Sequence, residues 1–319
     1  MRTRQLGNAP LDVPVVTLGG NVFGWTVTEG DSPRLLDAAL DAGLNFIDTA
    51  DLYSRWVPGH TGGESESIIG KWMRSTGKRN RVILATKVGM DMGDGKVGLS
   101  AAYIERAVED SLRRLQTDRI DLYQSHQDDA ATPLEETLAA YQRLIEKGKV
   151  RYIGASNYKG DRLREAMETS RRNHLPVYQT LQPHYNLMER EPYESDLAPV
   201  AAQYGLGVLP YFSLASGFLT GKYRTPADLQ GHARGASVGR YLNERGLGVL
   251  AALDEVAAST NSNPARVALA WLIARSGITS AIASATRVEQ LSDLTGAAGL
   301  TLDAGALEKL DRASAPVAV

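Results

Sequence analysis

A closed (β/α)8 barrel, the TIM-barrel form of the α/β class, is predicted by three observations. Short apolar runs alternate with longer amphipathic segments along almost all of the 319-residue chain. The runs are continuous rather than alternating, as in strands covered on both faces. About eight strand–helix units recur at spacings of roughly 25–40 residues, which calls for a parallel sheet with right-handed crossovers and favours closure over an open sheet. In order, the strand candidates span 15–19, 44–48, 81–87, 119–126, 150–157, 177–182, 206–211 and 278–284. Each is aliphatic or β-branched and bounded by Gly, Asp or Pro.

The helices between them have readable ends. Ser32-Pro33 opens a helix that Gly43 stops, and Thr132-Pro133 opens one that Gly148 stops. Ser100 is placed to cap a helix whose Ile104, Val108, Leu112 and Leu115 fall on one face. A hairpin turning near Gly7-Asn8 precedes the barrel, and extra helices follow the last strand. The segment 221–239, rich in Gly, Arg and polar residues, is expected to be a loop across the barrel top. No low-complexity linker divides the chain, so residues 1–319 are expected to form one domain.

Composition narrows the function. Lys+Arg 35 against Asp+Glu 37 leaves a net charge of −2, which offers no field for nucleic acid or an anionic membrane. The absence of cysteine excludes disulfides, thiolate metal sites and cysteine nucleophiles. No apolar run approaches the ~18 residues of a membrane span, and Pro and Asp interrupt the first apolar stretch, so no signal peptide is read. A soluble cytoplasmic enzyme acting on a small molecule is expected, with oligomerisation left open. The histidines His60, His126, His174, His184 and His232 lack metal-ligand spacing, so no metal site is expected. Gly93-Asp94-Gly95-Lys96-Val97-Gly98 fits G-x-G-x-x-G but stands too far from its strand for a dinucleotide turn and is read as a loop.

In a parallel barrel, functional side chains gather at the C-terminal strand ends. Those ends carry Asp48, Lys87, His126, Ser156-Asn157, Gln182 and Tyr211, with Tyr53 just beyond Asp48. Singly, each has an ordinary reading as a cap, a solvated cation or a packed ring; together they bring an acid, a phenol, an ammonium and an imidazole to one rim. A free phenol titrates near ~10, too high for an efficient acid at neutral pH. A neighbouring Lys⁺ is expected to lower it, a carboxylate to hold the Lys, and a His to orient a carbonyl oxygen. That is an acid for reducing a carbonyl, and it needs a hydride donor.

The segments NFIDTADLYS, GGESESIIGKWM, VILATKVG, DLYQSHQDD, GKVRYIGASNY, LQPHYNL, LPYFSLASGFLTGKY and SATRVEQL occur in that order from 45 to 291. On these motifs the chain resembles the aldo-keto reductases, in the branch that includes bacterial members and the potassium-channel β-subunits. The resemblance implies a catalytic tetrad of Asp48, Tyr53, Lys87 and His126, with Tyr53 as general acid. It implies an extended nicotinamide cofactor across the barrel mouth, NADPH with NADH also admitted. Asp48, Ser156, Asn157 and Gln182 would surround the nicotinamide, Tyr211 would stack on it, and Gly20 and Asn21 would lie beside it. Leu214, Ser216, Gly217 and Lys222 would grip the pyrophosphate; Ser284, Thr286, Arg287, Gln290 and Asp293 would hold the adenosine phosphate. Thr286 and Arg287 suit a 2′-phosphate. The family often has Pro-Gly where Ala283-Ser284 stand, Glu-Asn where Asp293-Leu294 stand, and Tyr-Ser-Pro-Leu at 211–214, so one adenine hydrogen bond is expected to be missing. The activity implied is reduction of an aldehyde or ketone; a nucleotide-sensing subunit with little turnover is the alternative. Trp25, Phe23, Tyr53, Trp56, Met90, Tyr158 and Tyr185 are candidates for lining an apolar mouth.

Overall fold

The apolar runs pair into one parallel sheet. A computed structural model describes residues 1–316. Strands β1 (Thr3–Gln5) and β2 (Asp12–Pro14) form the antiparallel hairpin. Strands β3 (Val16–Gly19), β4 (Phe46–Asp48), β5 (Ile83–Val88), β6 (Ile120–Ser125), β7 (Val150–Ser156), β8 (Thr180–Gln182), β9 (Gly207–Val208) and β10 (Ala281–Ala283) lie in the order β10-β3-β4-β5-β6-β7-β8-β9. A parallel bridge between Val208 and Ile278 and the Ile282 N–H donating to Pro210 O at 2.9 Å bring the two ends of that order together, closing the (β/α)8 barrel. The strands are shorter than their apolar runs, β9 most of all. Pro210 has no N–H to extend it.

The hairpin plugs the N-terminal end. Leu6 and Val13 are fully buried against Phe46, Ala85, Leu122, Leu209 and Ile282 inside the barrel. Outside it, helices α1 (Ser32–Asp41), α2 (Glu64–Thr76), α3 (Ala101–Leu115), α4 (Leu134–Glu146) and α5 (Gly160–Arg172) each follow a strand. The predicted apolar face of α3, Ile104, Val108, Leu112 and Leu115, is buried. Helix α2 approaches α3 so closely that a Cβ on Gly70 would lie 2.2 Å from Arg114 O. That contact fixes a glycine in mid-helix despite its propensity cost.

Beyond α6 (Ala198–Tyr204), the segment 221–239 is not the open loop expected. It contains a 3-10 turn over Pro226–Leu229 and a short helix α7 (Gly235–Gly239). Thr225 and Asp228 form the capping box of the turn. Helices α8 (Glu244–Ser259) and α9 (Pro264–Ala274) start on Asn243 and Asn263, whose side chains accept from Gly246 N and Arg266 N. Helices α10 (Leu291–Gly299) and α11 (Ala304–Ala313) follow the last strand. Among the described residues, no helix is long and apolar enough to cross a membrane.

Candidate active site

Parallel register sets the floor of the site. Lys87 on β5 pairs with Gln124 on β6, and Asp48 ends β4. The Lys87 ammonium is fully buried and donates to three oxygens: Asp48 Oδ2 at 2.6 Å, Thr49 O at 2.8 Å and the Tyr53 hydroxyl at 2.9 Å. All three of its N–H groups therefore have an acceptor. Asp48 is saturated too, because Gln124 Nε2 and Gln182 Nε2 donate to its Oδ1 at 3.1 and 2.9 Å. The Tyr53 hydroxyl is 3.5 Å from Asp48 Oδ2, a marginal distance that leaves its proton available to the cleft. His126 stands beside it, ring centroids 6.1 Å apart, with a buried Nδ1 that has no partner.

Burial sets the protonation states. It pushes the Tyr53 phenol up to about 12; Lys87 draws it down and Asp48 pushes it up. The expectation of a phenol lowered by Lys87 is thus not met, because desolvation outweighs the ammonium. Burial works against the charge on Lys87, yet Asp48 and Tyr53 hold the ammonium above its ordinary value. His126 is driven well below the usual histidine range, first by burial and then by Lys87, so its ring is neutral at neutral pH.

Above this floor runs a cleft of about 980 Å³. Its lining includes Tyr53, Trp56, Met90 and His126, and also Thr286, Arg287, Gln290 and Asp293. Asn21, Ser156, Asn157, Gln182, Tyr211, Leu214, Ser216, Gly217, Lys222 and Ser284 line it as well. Three consecutive left-handed residues, Ala215, Ser216 and Gly217, make a tight backbone turn in the wall. A Cβ on Gly217 would sit 3.9 Å from the Lys222 ammonium.

Three of the predicted residues do not line the cleft. Gly20 is buried, its carbonyl accepting from Ser65 Oγ at 2.7 Å, and its neighbour Gly19 lines the wall instead. Asp48 and Lys87 lie beneath the floor and reach the cleft only through Tyr53 and Gln182. Asp293 is at the rim, but its carboxylate already accepts from Asn263 Nδ2 at 2.8 Å and Arg266 Nε at 2.9 Å. Gln290 is likewise engaged, its Oε1 accepting from the Thr286 and Arg287 N–H groups as a cap. Tyr211 carries His184 stacked on its ring at 5.2 Å and donates its hydroxyl to Asn157 Oδ1 at 2.8 Å.

The aromatic set divides as well. Phe23, Tyr158 and Tyr185 are core, and Trp25 packs edge-on to Trp56 at 5.5 Å outside the main cleft. Sequence reasoning missed Arg234. Its guanidinium lies 5.1 Å over the Trp25 ring and lines the cleft, with Nη2 buried and unpartnered. It falls in the segment read as loop, where no periodicity marks which side chain turns inward.

A cleft over a buried Lys–Asp pair and a phenol, on a (β/α)8 barrel, is an arrangement suited to an oxidoreductase. The chain belongs to the aldo/keto reductase family, whose model matches residues 15–315. It is 38% identical over 319 aligned residues to an uncharacterized oxidoreductase of Bacillus subtilis, covering 98% of this chain and 95% of that protein. It is 34% identical over 301 residues to a probable voltage-gated potassium channel subunit beta of rice, Oryza sativa, covering 91% and 89%. It is 30% identical over 324 residues to an NADP(+) aldo-keto reductase of Schizosaccharomyces pombe, covering 98% and 91%.

Proposed function

We propose that this oxidoreductase reduces an aldehyde or ketone to the alcohol with a nicotinamide cofactor, NADPH in preference to NADH. The observation that carries this reading is the Tyr53 hydroxyl, 2.9 Å from the buried Lys87 ammonium, in the wall of a cleft of about 980 Å³ that Lys222, Arg234 and Arg287 also line. The bound nicotinamide supplies the hydride. The chemistry of the donor set fits such a group: Lys222 and the unpartnered Arg234 guanidinium offer positive charge to phosphates, and Thr286 with Arg287 offers a hydroxyl and a forked cation to a 2′-phosphate. Ser156, Asn157, Gln182 and Tyr211 line the cleft and would surround the nicotinamide, Tyr211 offering it a flat ring.

In the chemical step an N–H of the neutral His126 imidazole donates to the carbonyl oxygen and orients it. As negative charge develops there, the Tyr53 hydroxyl gives up its proton. Lys87 keeps donating to the phenol oxygen and stabilises the phenolate that remains; Asp48 holds Lys87 in place through the 2.6 Å contact. Because burial raises the phenol, Tyr53 stays protonated across the working pH range. It is the Lys87 ammonium, opposing that rise, that lets the proton leave as the oxygen's negative charge forms. Trp56 and Met90 offer apolar surface to the substrate beside Tyr53.

The test is oxidation of NADPH and of NADH, followed by absorbance, across a panel of aldehydes, ketones and quinones. Turnover of at least one carbonyl is expected. Tight cofactor binding without turnover of any would refute the reading and favour a nucleotide-sensing subunit.

A further inference from the structure

Among the described residues, the reaction leaves three buried acids unused, and of these Glu66 and Asp121 are paired with arginines while Asp51 is not. Asp51 lies in the segment that joins Asp48 to Tyr53 and is 2% exposed. Its Oδ1 has no hydrogen-bond partner, and neither has the hydroxyl of Tyr123 in the same space behind the barrel wall. The other acid there, Glu66 on α2, is fully occupied: Thr86 Oγ1 donates to its Oε1 at 2.6 Å and Arg114 Nε to its Oε2 at 2.6 Å. The groups facing Asp51 are Glu66 from α2, Arg114 and Tyr103 from α3, Lys87 from β5, Tyr123 from β6 and Tyr141 from α4. The one cation on the helix side, Arg114, is committed to Glu66. Lys87 is committed to Asp48 on the other side of the strand.

We propose that Asp51 is a positioning residue, holding the Tyr53 segment in its reducing position only while its carboxyl carries a proton. The proposal rests on the reading of Tyr53 as the acid. A neutral carboxyl sits beside the engaged Glu66 without repulsion and has a proton to donate. A carboxylate there has Glu66 as a like-charged neighbour and no free cation, and a bare buried anion must find water. The segment is anchored on either side of Asp51, by the Thr49 N–H to Ala85 O at 2.9 Å and by Ser54 Oγ to Phe23 O at 2.7 Å, and is held loosely only at Asp51 itself, whose N–H meets Lys87 O at 3.4 Å. Moving it shifts Tyr53 off the Lys87 ammonium. Burial, with Glu66 adding to it and Arg114, the Leu52 N–H and Lys87 opposing, pushes the Asp51 carboxyl up to about 8, far from the Tyr53 phenol at about 12. The two groups therefore leave separate marks on a pH profile.

The experiment compares wild type with Asp51→Asn, which keeps shape and removes the titration. NADPH-dependent reduction of a carbonyl that the wild type turns over is measured from about pH 6 to about pH 10. In wild type the rate should fall roughly tenfold between about pH 7 and about pH 9, following the protonated fraction, while Asp51→Asn stays level. Infrared difference spectra of the two proteins should show the C=O stretch of a protonated carboxyl at neutral pH, lost over the same interval. Tryptophan fluorescence, reporting Trp56 at 6.0 Å from Tyr53, should change with it. The same alkaline fall in both proteins, or an Asp51 already ionised at neutral pH, overturns the proposal. If no carbonyl is turned over, the assigned activity fails by itself, and the infrared and fluorescence titrations still decide the state of Asp51 and its grip on the segment.

Discussion

Replacing Lys87 by Met keeps the length of the side chain and removes three hydrogen bonds at once. Asp48 Oδ2, Thr49 O and the Tyr53 oxygen lose donors at 2.6, 2.8 and 2.9 Å in a site where Lys87 is fully buried. Gln124 and Gln182 still satisfy Asp48 Oδ1, but the carboxylate is left buried without a cation. Breaking a buried pair this way costs about 3–5 kcal/mol. Adding Asp48→Asn removes the orphaned charge, and the double variant should recover at least ~1 kcal/mol of that loss. Reduction should behave differently. It should drop at least ~100-fold in both variants, because neither supports a phenolate at Tyr53. The pH sign follows from the raised phenol: reduction needs the protonated form, so this limb of the wild-type profile is lost only as pH rises through about 12. Without Lys87 the phenol moves further up and the limb leaves the accessible range. Urea unfolding gives the stability differences, and single turnovers with deuterated cofactor isolate hydride transfer. A Lys87→Met protein with wild-type stability, or with wild-type rates of reduction and alcohol oxidation, would show that the Asp48–Lys87–Tyr53 coupling is wrong.

Tyr53→Phe deletes one hydroxyl and keeps the ring, so carbonyl reduction should nearly vanish while cofactor affinity, by fluorescence titration, stays at wild type; normal turnover would remove Tyr53 from its role. Arg287→Ala should weaken NADPH on the order of ten- to hundredfold and NADH far less, since only the former carries the 2′-phosphate; equal weakening would mean Arg287 does not read it. Gly70→Ala should lower the melting temperature. The gain of up to ~1 kcal/mol in helix propensity is outweighed by a Cβ 2.2 Å from Arg114 O, overpacking that costs about 1–3 kcal/mol. An unchanged or raised melting point would show that α2 and α3 separate freely.

The barrel and the polar residues at its C-terminal strand ends were legible in the chain because both follow local rules. A strand covered on both faces must be apolar along its length, so the runs at 81–87 and 119–126 announce β5 and β6. A polar residue ending such a run then marks itself, as Asp48, Lys87 and His126 do. What the chain could not announce depends on depth and on partners far away in sequence. Tyr53 beside Lys87 reads as a lowered phenol until burial is known, and burial reverses the sign. Asp293 reads as a free cofactor ligand until α9 brings Asn263 and Arg266 against it. Arg234 and Asp51 carry no local signature. The one became a cleft cation and the other a buried acid only when the folded chain removed water from around them without supplying a partner of opposite charge, since desolvation and pairing are properties of the packed whole and not of any window of sequence.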